Sequence, residues 1–409
     1  MNHAIFMEQA LELAKKGKFK TAPNPCVGAV LVYNNTVIAR GYHEEYGKAH
    51  AEVNCLLDAI KSGIFYQAIQ ENNVHFSNPL LQKALEEYRQ KEFSKNINLA
   101  ECTLYVTLEP CNHFGKTPPC THAIIEAGIK TVVIGMLDPN PKASGGIAYL
   151  QENSVTIISG ILEEKCRDLL ADFLLWQKEQ RPFCILKMAM TLDGKIGPNQ
   201  GHSHTITTSK SKEVTMKFRH NVALAHGAVM IGANTFYLDN PQLNVRNIET
   251  DIQPKAIVLT NKLPSPETDY FLINKRASET IFYTSEQNEE KITVLENRGV
   301  SIEIIEKKSC DCINLKKVFE NAFQIYKCPY IYCEGGAMLA LSLIKEGLVD
   351  LLVVYISPQI LGDDNAKSAF RGNFVETMQD AYHFKFVHSE MVGEDMHVYL
   401  KPEKTCSQD

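Results

Sequence analysis

The chain lacks several of the features that settle a function early. No window approaches the ~20 uninterrupted apolar residues that a membrane-spanning helix needs. The opening Met-Asn-His-Ala-Ile-Phe-Met-Glu carries neither a basic segment nor an apolar core, so no secretory leader is expected. Positive charge is not in excess: 42 Lys and Arg stand against 48 Asp and Glu, a net charge of −6. That balance leaves no electrostatic footprint for tRNA or DNA, although a single phosphate needs only a local pair of basic groups. There is no Gly-x-Gly-x-x-Gly, so a standard Rossmann dinucleotide site is not indicated. Nor is there a Pro-Cys-x-x-Cys, the usual zinc motif of nucleic-acid and nucleoside deaminases. The 12 cysteines follow no regular spacing, which suits a reducing cytosol rather than a disulfide framework; the cytoplasm is the expected location.

What is present begins with a divided constellation. His50-Ala51-Glu52 lies upstream of Glu109-Pro-Cys111-Asn-His113-Phe-Gly-Lys116-Thr-Pro-Pro-Cys120, which follows the strand-like run Thr103–Leu108. The imidazole of His50 and the thiolates of Cys111 and Cys120 make three protein ligands for one zinc ion per chain. They leave the fourth tetrahedral position to water, as in a catalytic rather than a structural site. Zinc lowers the pKa of such a water to roughly 7. Glu52 is placed to shuttle a proton from that water to a leaving amine, the role a glutamate has in zinc base deaminases. His113 belongs to the substrate pocket or the surroundings of the ligands rather than to the metal. The pattern predicts hydrolytic removal of an exocyclic amine from a heteroaromatic ring.

At 409 residues with 44% hydrophobic content, two domains with sizeable cores are expected. Apolar spacing predicts a helix over 5–17 that stops at Gly17, and a hairpin of Val27–Val32 with Val37–Tyr42. A helix over His50–Ile60 would carry His50 and Glu52 in its first turn, where the helix dipole favours developing negative charge. Further expectations are a strand over Thr131–Met136, helices over His122–Gly128 and Leu80–Phe93, and one amphipathic helix over Leu162–Gln177 containing the only tryptophan, Trp176. Arg181-Pro182 ends that helix, because proline disfavours the helical conformation in the residue before it. Strands alternating with helices argue for a layered α/β sheet.

Read with Thr21-Ala-Pro-Asn24-Pro-Cys-Val-Gly28 and Leu137-Asp-Pro-Asn-Pro141, the long loop between Cys111 and Cys120 resembles that of the bifunctional riboflavin-biosynthesis deaminase–reductases. The second half continues the resemblance in order. It has Phe183–Ile196 with Leu192-Asp193-Gly194, Ser203–Thr208, Arg219, Val229–Thr235, Asp239–Arg246, Ile331–Gly336 and Gly347–Pro358. The resemblance implies an α/β protein with a cytidine-deaminase-like layered α/β/α domain over 1–150 and a dihydrofolate-reductase-like domain over 181–404. Residues 151–180 connect them as a strand and a helix. It also implies NADPH, contacted around Ala189, Thr205, Thr235, Asp239 and a segment from Gly336, with Ser203, Arg219, Leu243, Arg246 and Glu334 on the substrate side. Arg219 and Arg246 can offer forked donors to a ribose phosphate. Backbone N–H groups at a helix start after Glu334-Gly-Gly336 can cradle a dinucleotide phosphate. Asn24 and Lys116 are candidate substrate contacts, Asn24 with turn structure as its alternative, and Asp193 reads as a turn-former. The implied substrates are phosphoribosylaminopyrimidines, with no nucleic acid and no membrane, and the implied assembly is a homo-oligomer through the reductase domain.

Two departures stand out. About forty residues between Ile60 and Glu101 exceed what this family places there, and read as a surface helical insertion over 61–100. After Leu137–Pro141 the chain has Ser144-Gly-Gly146 where the family shows a basic residue between glycines. Two other readings stay open. A tRNA or nucleobase deaminase with an appended reductase-like domain is opposed by the charge balance. A non-catalytic ligand-binding protein is opposed by the presence of Glu52 and all three ligands.

Overall fold

The structure, a computed structural model, is described at residues 2–65, 74–89, 97–115, 118–140, 145–199, 205–307, 313–372 and 375–403. It divides into two compact units, Met1–Glu179 and Gln180–Asp409.

The first unit runs α1 (His3–Lys15), β1 (Gly28–Tyr33), β2 (Thr36–Tyr42), α2 (Ala51–Lys61), α3 (Pro79–Tyr88), β3 (Thr103–Leu108) and α4 (Cys120–Glu126). It continues with β4 (Thr131–Met136), α5 (Gly146–Glu152), β5 (Thr156–Ser159), α6 (Glu163–Leu169) and α7 (Ala171–Glu179). Its sheet has the order β2-β1-β3-β4-β5, antiparallel from β2 to β3 and parallel from β3 to β5. Successive strand residues point to opposite faces, and both faces are covered. Ala29, Leu31, Leu104, Val106, Val132 and Ile134 pack with α2, α3 and α4. Their neighbours Val30, Val32, Tyr105 and Val133 pack with Phe6, Met7, Ala10 and Leu11 of α1. The central strands are apolar throughout because neither face meets water.

Gly41 sets how closely α2 approaches the sheet. A Cβ there would lie 2.2 Å from the Cys55 amide nitrogen and 2.4 Å from the Ala51 carbonyl oxygen. Both are backbone atoms, so relief requires moving the helix that begins beside His50. Gly41→Ala should therefore destabilise the unit by about 1–3 kcal/mol and lower its zinc content, read by thermal melting and metal analysis. Wild-type values in both would show that the helix has room to move.

Three expectations are corrected here. The first helix ends at Lys15, before Gly17, whose smallness serves a close approach instead: a Cβ would meet the His43 carbonyl at 2.2 Å. The helix expected over 162–177 is broken at Leu170 into α6 and α7. The Leu169 carbonyl accepts from the Lys18 ammonium at 2.5 Å, while the Phe173 N–H that would have reached it bonds the Asp172 carboxylate at 2.9 Å. Lys18 and Asp172 also form an ion pair at 2.8 Å. A lysine from another element has thus replaced one helical bond. Finally, the insertion is more than a surface helix. Asn78 caps α3 by accepting from Leu80 and Leu81, and Phe65, Phe76, Leu81 and Leu85 enter the core beside Leu56, Ala59 and Ile60 of α2. Residues 66–73 and 90–96 lie outside the described residues.

The second unit opens with β6 (Phe183–Thr191), β7 (Lys195–Gly197), α8 (Ser209–Leu224), β8 (Ala228–Gly232), α9 (Ala233–Asp239) and β9 (Lys255–Thr260). Next come α10 (Phe271–Lys275), β10 (Thr280–Thr284), α11 (Glu289–Asn297), β11 (Ser301–Ile304), α12 (Leu315–Gln324), β12 (Tyr330–Cys333) and α13 (Ala337–Lys345). It ends with β13 (Leu351–Ser357), β14 (Lys367–Ser368), β15 (Phe384–Val392) and β16 (Asp395–Pro402). Nine strands form a sheet ordered β11-β10-β9-β8-β12-β6-β13-β16-β15, parallel except for the last two. Arg181 grips Asp350 through two bonds of 2.8 and 2.9 Å, and the same carboxylate accepts the Cys184 N–H, so the starts of β6 and β13 are pinned together.

Candidate functional site

Two helix starts and one loop assemble the zinc-type triad. His50 immediately precedes α2 in extended conformation, Cys120 is the first residue of α4, and Cys111 follows β3. His50 Nδ1 lies 3.6 Å from Cys111 Sγ and 3.4 Å from Cys120 Sγ, and the three donor atoms all lie within 4.8 Å of one another. Zinc bonds of ~2.0 Å to nitrogen and ~2.3 Å to sulfur at tetrahedral angles require nitrogen–sulfur separations of about 3.5 Å. Donor set and spacing both fit zinc. Among the described residues no second group of three such ligands occurs, and His113 is not part of this one. Glu109 holds the loop without being a ligand: its carboxylate accepts the Asp138 and Ile147 N–H groups, each at 3.2 Å.

Glu52 sits in the first turn of α2, 4% exposed. Burial, with the neighbouring Cys111 charge, pushes its carboxyl up to about 7, where a group can both take and give a proton near neutrality. On the protein's own charges, a hydrogen bond from Cys120 brings the Cys111 thiol down to about 4, and the same bond pushes Cys120 up. Metal binding needs both thiolates, so zinc affinity falls on acidification.

Asn24 stands at the edge of this site. Its amide nitrogen is 3.4 Å from His43 Nε2, while His43 Nδ1 is 3.0 Å from the Ala49 carbonyl. Nδ1 must then donate and Nε2 accept, which fixes the Asn24 amide with its nitrogen toward His43. Burial pushes His43 down to about 4, so the ring is neutral, and it packs edge-on to His50 with centroids 5.2 Å apart. His43 was not legible in the sequence, where a lone histidine after a strand carries no signal. Lys116 and Ser144 lie outside the described residues.

In the second unit, Glu334 follows β12 and meets Arg219 of α8. The guanidinium donates to both carboxylate oxygens at 2.6 and 2.9 Å, and its remaining nitrogen donates to the Asn244 carbonyl at 2.9 Å. Three of the five N–H groups of Arg219 are thus engaged with Glu334 and Asn244, and the pair is buried, so the fork expected to face a phosphate faces a carboxylate of the same chain. Burial opposes ionisation of Glu334, but Arg219 outweighs it and holds the carboxyl below its ordinary value. Arg246 is exposed, bonds Gln242 at 3.1 Å, and adds its charge to the same carboxylate. Lys187, midway along β6, feels the fields of Glu334 and Arg219, and burial pushes its pKa down. The signal that could have found it is an ionisable residue interrupting the apolar run Phe183–Met190.

The residues expected at the cofactor come from several elements. Gly336 precedes α13, and a Cβ there would lie 3.8 Å from the Thr235 hydroxyl of α9. Any larger side chain would fill this gap between two helix starts, a cradle that fits a dinucleotide phosphate. Asp239 closes α9, and Ala189 pairs with Tyr355 across β6 and β13. Thr205 lies before α8 and accepts from Lys212 at 3.1 Å. Leu243 is 1% exposed, so its side chain belongs to the interior. Ser203 lies outside the described residues.

Comparison with known proteins identifies the family of each unit. Residues 1–136 match the family model described as the cytidine and deoxycytidylate deaminase zinc-binding region, and residues 182–398 match the RibD C-terminal domain. The riboflavin biosynthesis protein RibD of Aquifex aeolicus is 35% identical over 397 residues, covering 97% of each chain. Among solved structures, Acinetobacter baumannii RibD aligns with a TM-score of 0.75 at 30% identity, over 98% of this chain and 99% of that one. The Thermotoga maritima diaminohydroxyphosphoribosylaminopyrimidine deaminase/5-amino-6-(5-phosphoribosylamino)uracil reductase gives 0.75 and 30%, over 98% of both.

Proposed function

This chain belongs to the RibD family of bifunctional riboflavin-biosynthesis enzymes, and we propose the substrates, cofactor and residues through which its deaminase and reductase act. The first unit deaminates 2,5-diamino-6-(5-phosphoribosylamino)pyrimidin-4(3H)-one. The second reduces the product, 5-amino-6-(5-phosphoribosylamino)uracil, to its ribitylamino form with NADPH. The observation that carries the first step is the triad of His50, Cys111 and Cys120 with buried Glu52 beside it. Zinc held there supplies a water acidified enough to hydrolyse at neutral pH. Glu52 takes the proton at its carboxylate and delivers it to the departing amine. Asn24, its amide fixed by His43, stands at the edge of the site to hydrogen-bond the ring, and Lys116 is assigned as a second substrate contact.

In the reductase, Glu334 is kept ionised by Arg219 and accepts from ribosyl hydroxyls, while exposed Arg246 is the group free to meet the phosphate. Thr235, Asp239, Gly336, Ala189 and Thr205 are assigned to NADPH, and Ser203 and the Leu243 backbone to the substrate side. NADPH bound there would supply hydride to the imine or aldehyde-like carbon of the opened ribosyl group, and a proton from water would complete the ribitylamino product. The test is to incubate zinc-replete protein with the diaminopyrimidine and NADPH while following ammonia and NADPH oxidation together. Ammonia without NADPH oxidation would remove the reductase assignment and leave the deaminase intact.

The expected homo-oligomer has a surface of its own to use. Strand β15 is an edge strand with Phe386 79%, Met391 66% and Val387 53% exposed. Such an edge invites pairing with another chain, and a second copy is the proposed partner. Phe386→Glu should shift the mass by light scattering to that of a single chain. An unchanged mass would place the interface elsewhere. No described helix is long and apolar enough to cross a membrane, and the cytoplasm remains the proposed location.

A further inference from the structure

Asp193 reads in the sequence as an ordinary turn residue, yet its carboxylate reaches far beyond its own turn. One oxygen accepts the Thr191 hydroxyl at 2.5 Å and the Leu361 N–H at 3.3 Å, and the other accepts the Gly362 N–H at 2.9 Å. The turn after β6 is thereby tied to the loop after β13. Two backbone bonds reinforce the connection: Leu192 N–H to the Gln359 carbonyl at 2.8 Å, and Ala369 N–H to the Gly194 carbonyl at 2.9 Å. The second loop reaches onward, since the Gln359 side-chain amide donates to the Ile206 carbonyl at 3.4 Å. Ile206 adjoins Thr205, at the start of the segment that leads into α8.

Three separate pieces of chain therefore meet at the carboxyl ends of β6 and β13. Ligands of open α/β sheets bind outside those strand ends. The joined loops also hold three large apolar side chains toward solvent: Leu192, Ile360 and Leu361 are 63%, 68% and 42% exposed. Folding gains nothing by displaying them, whereas a flat, partly apolar ring laid against them would cover them. The Asp193 carboxylate accepts two N–H groups from the far loop, and these are the strongest ties between the loops, because hydrogen bonds to an ionised acceptor exceed neutral ones. The Thr191 hydroxyl and the Gly362 N–H hold this carboxyl down to about 2, so the tie persists across the working pH range.

We infer that Asp193 is a positioning residue of the reductase: it clasps the turn 191–194 to the loop 359–362 and so holds an apolar lip, with Thr205 beside it, against the nicotinamide half of the dinucleotide. This inference rests on the reductase reading above. Asp193 touches no reacting atom, and its removal should be felt in cofactor binding rather than in hydride transfer.

The test is fluorescence titration of the full-length, zinc-loaded protein with NADPH, which reads Kd directly, alongside steady-state kinetics with the pre-deaminated uracil substrate and varied NADPH. Asp193→Ala should raise both the Kd and the KM for NADPH about tenfold or more with kcat essentially unchanged. Asp193→Asn keeps one carbonyl acceptor and should recover part of the loss. Thermal melting of the same preparations reports whether the second unit of each variant is folded, since ammonia release reports on the first unit alone. If the second unit of the alanine variant does not fold, the asparagine variant decides by the same measurements. An unchanged KM overturns the inference, as does a fall in kcat at constant KM, which would mark a direct chemical role. Wild-type protein that releases ammonia but never oxidises NADPH would refute the reductase reading, and this inference with it.

Discussion

Glu52→Gln is expected to slow ammonia release by about 10²–10⁴-fold, the range a positioned acid–base group contributes, while NADPH oxidation with pre-deaminated substrate continues at the wild-type rate. The carboxyl is 4% exposed in the first turn of α2, beside the triad. Glutamine has the same shape, so the helix start and the packing around it survive. Burial works against ionisation of Glu52, so a neutral amide removes a desolvation penalty rather than adding one, and melting should not fall. Glu52 is not one of the three clustered donors, so the variant should also keep its zinc. Removing zinc with a chelator should produce the same split, with ammonia lost and NADPH oxidation kept. Normal ammonia release from the variant would remove Glu52 from the mechanism. Loss of zinc in the variant would instead make it a ligand.

Arg219→Met should destabilise the second unit by about 3–5 kcal/mol, because it leaves the Glu334 charge buried without its partner. The two side chains are only 7% and 14% exposed and are joined by two bonds, which makes this a desolvated pair rather than a surface contact. Arg219→Met combined with Glu334→Leu should recover most of the stability, since replacing both members of a buried pair by apolar groups is often neutral. It should not recover NADPH oxidation if Glu334 meets the substrate. The pH dependence has a definite sign. Folding depresses the Glu334 pKa below its ordinary 4.5, so the pair's contribution is complete above that value and is lost as pH falls through the lower folded value. The double variant should lack this acid-side loss. Equal melting of the single and double variants would show that the charge is relieved in some other way.

How far the sequence could be read depended on whether a property was local. The strands Thr103–Leu108 and Thr131–Met136 occupy the residues their apolar runs predict. Each is a continuous pattern bounded by its own breakers, and each is buried on the face that pattern prescribes. The deaminase ligands were legible for a related reason. Zinc chemistry demands particular side chains, and the Pro-Cys turn and the His-Ala-Glu helix start are short motifs that survive in one dimension.

Other properties had no local signature. The break at Leu170 comes from Lys18, far away in the chain, taking the Leu169 carbonyl. Nothing within 162–177 announces it. The fork of Arg219 looked available because the sequence does not reveal that Glu334 lies across from it. His43 gained meaning only when the fold set its ring between Asn24 and the Ala49 carbonyl. Asp193 kept its turn and acquired Leu361 and Gly362 as partners only through the pairing of β6 with β13.

The sequence alone determined the layered α/β class, the grouping of His50, Cys111 and Cys120 with Glu52 close by, and the order of the two halves. Local backbone preference, apolar periodicity and the chemistry of ligand atoms dictate these residue by residue. The tertiary structure decided which charged groups are spent on one another and which remain free for substrate. That depends on which strands lie side by side, and so on distances between residues far apart in the chain.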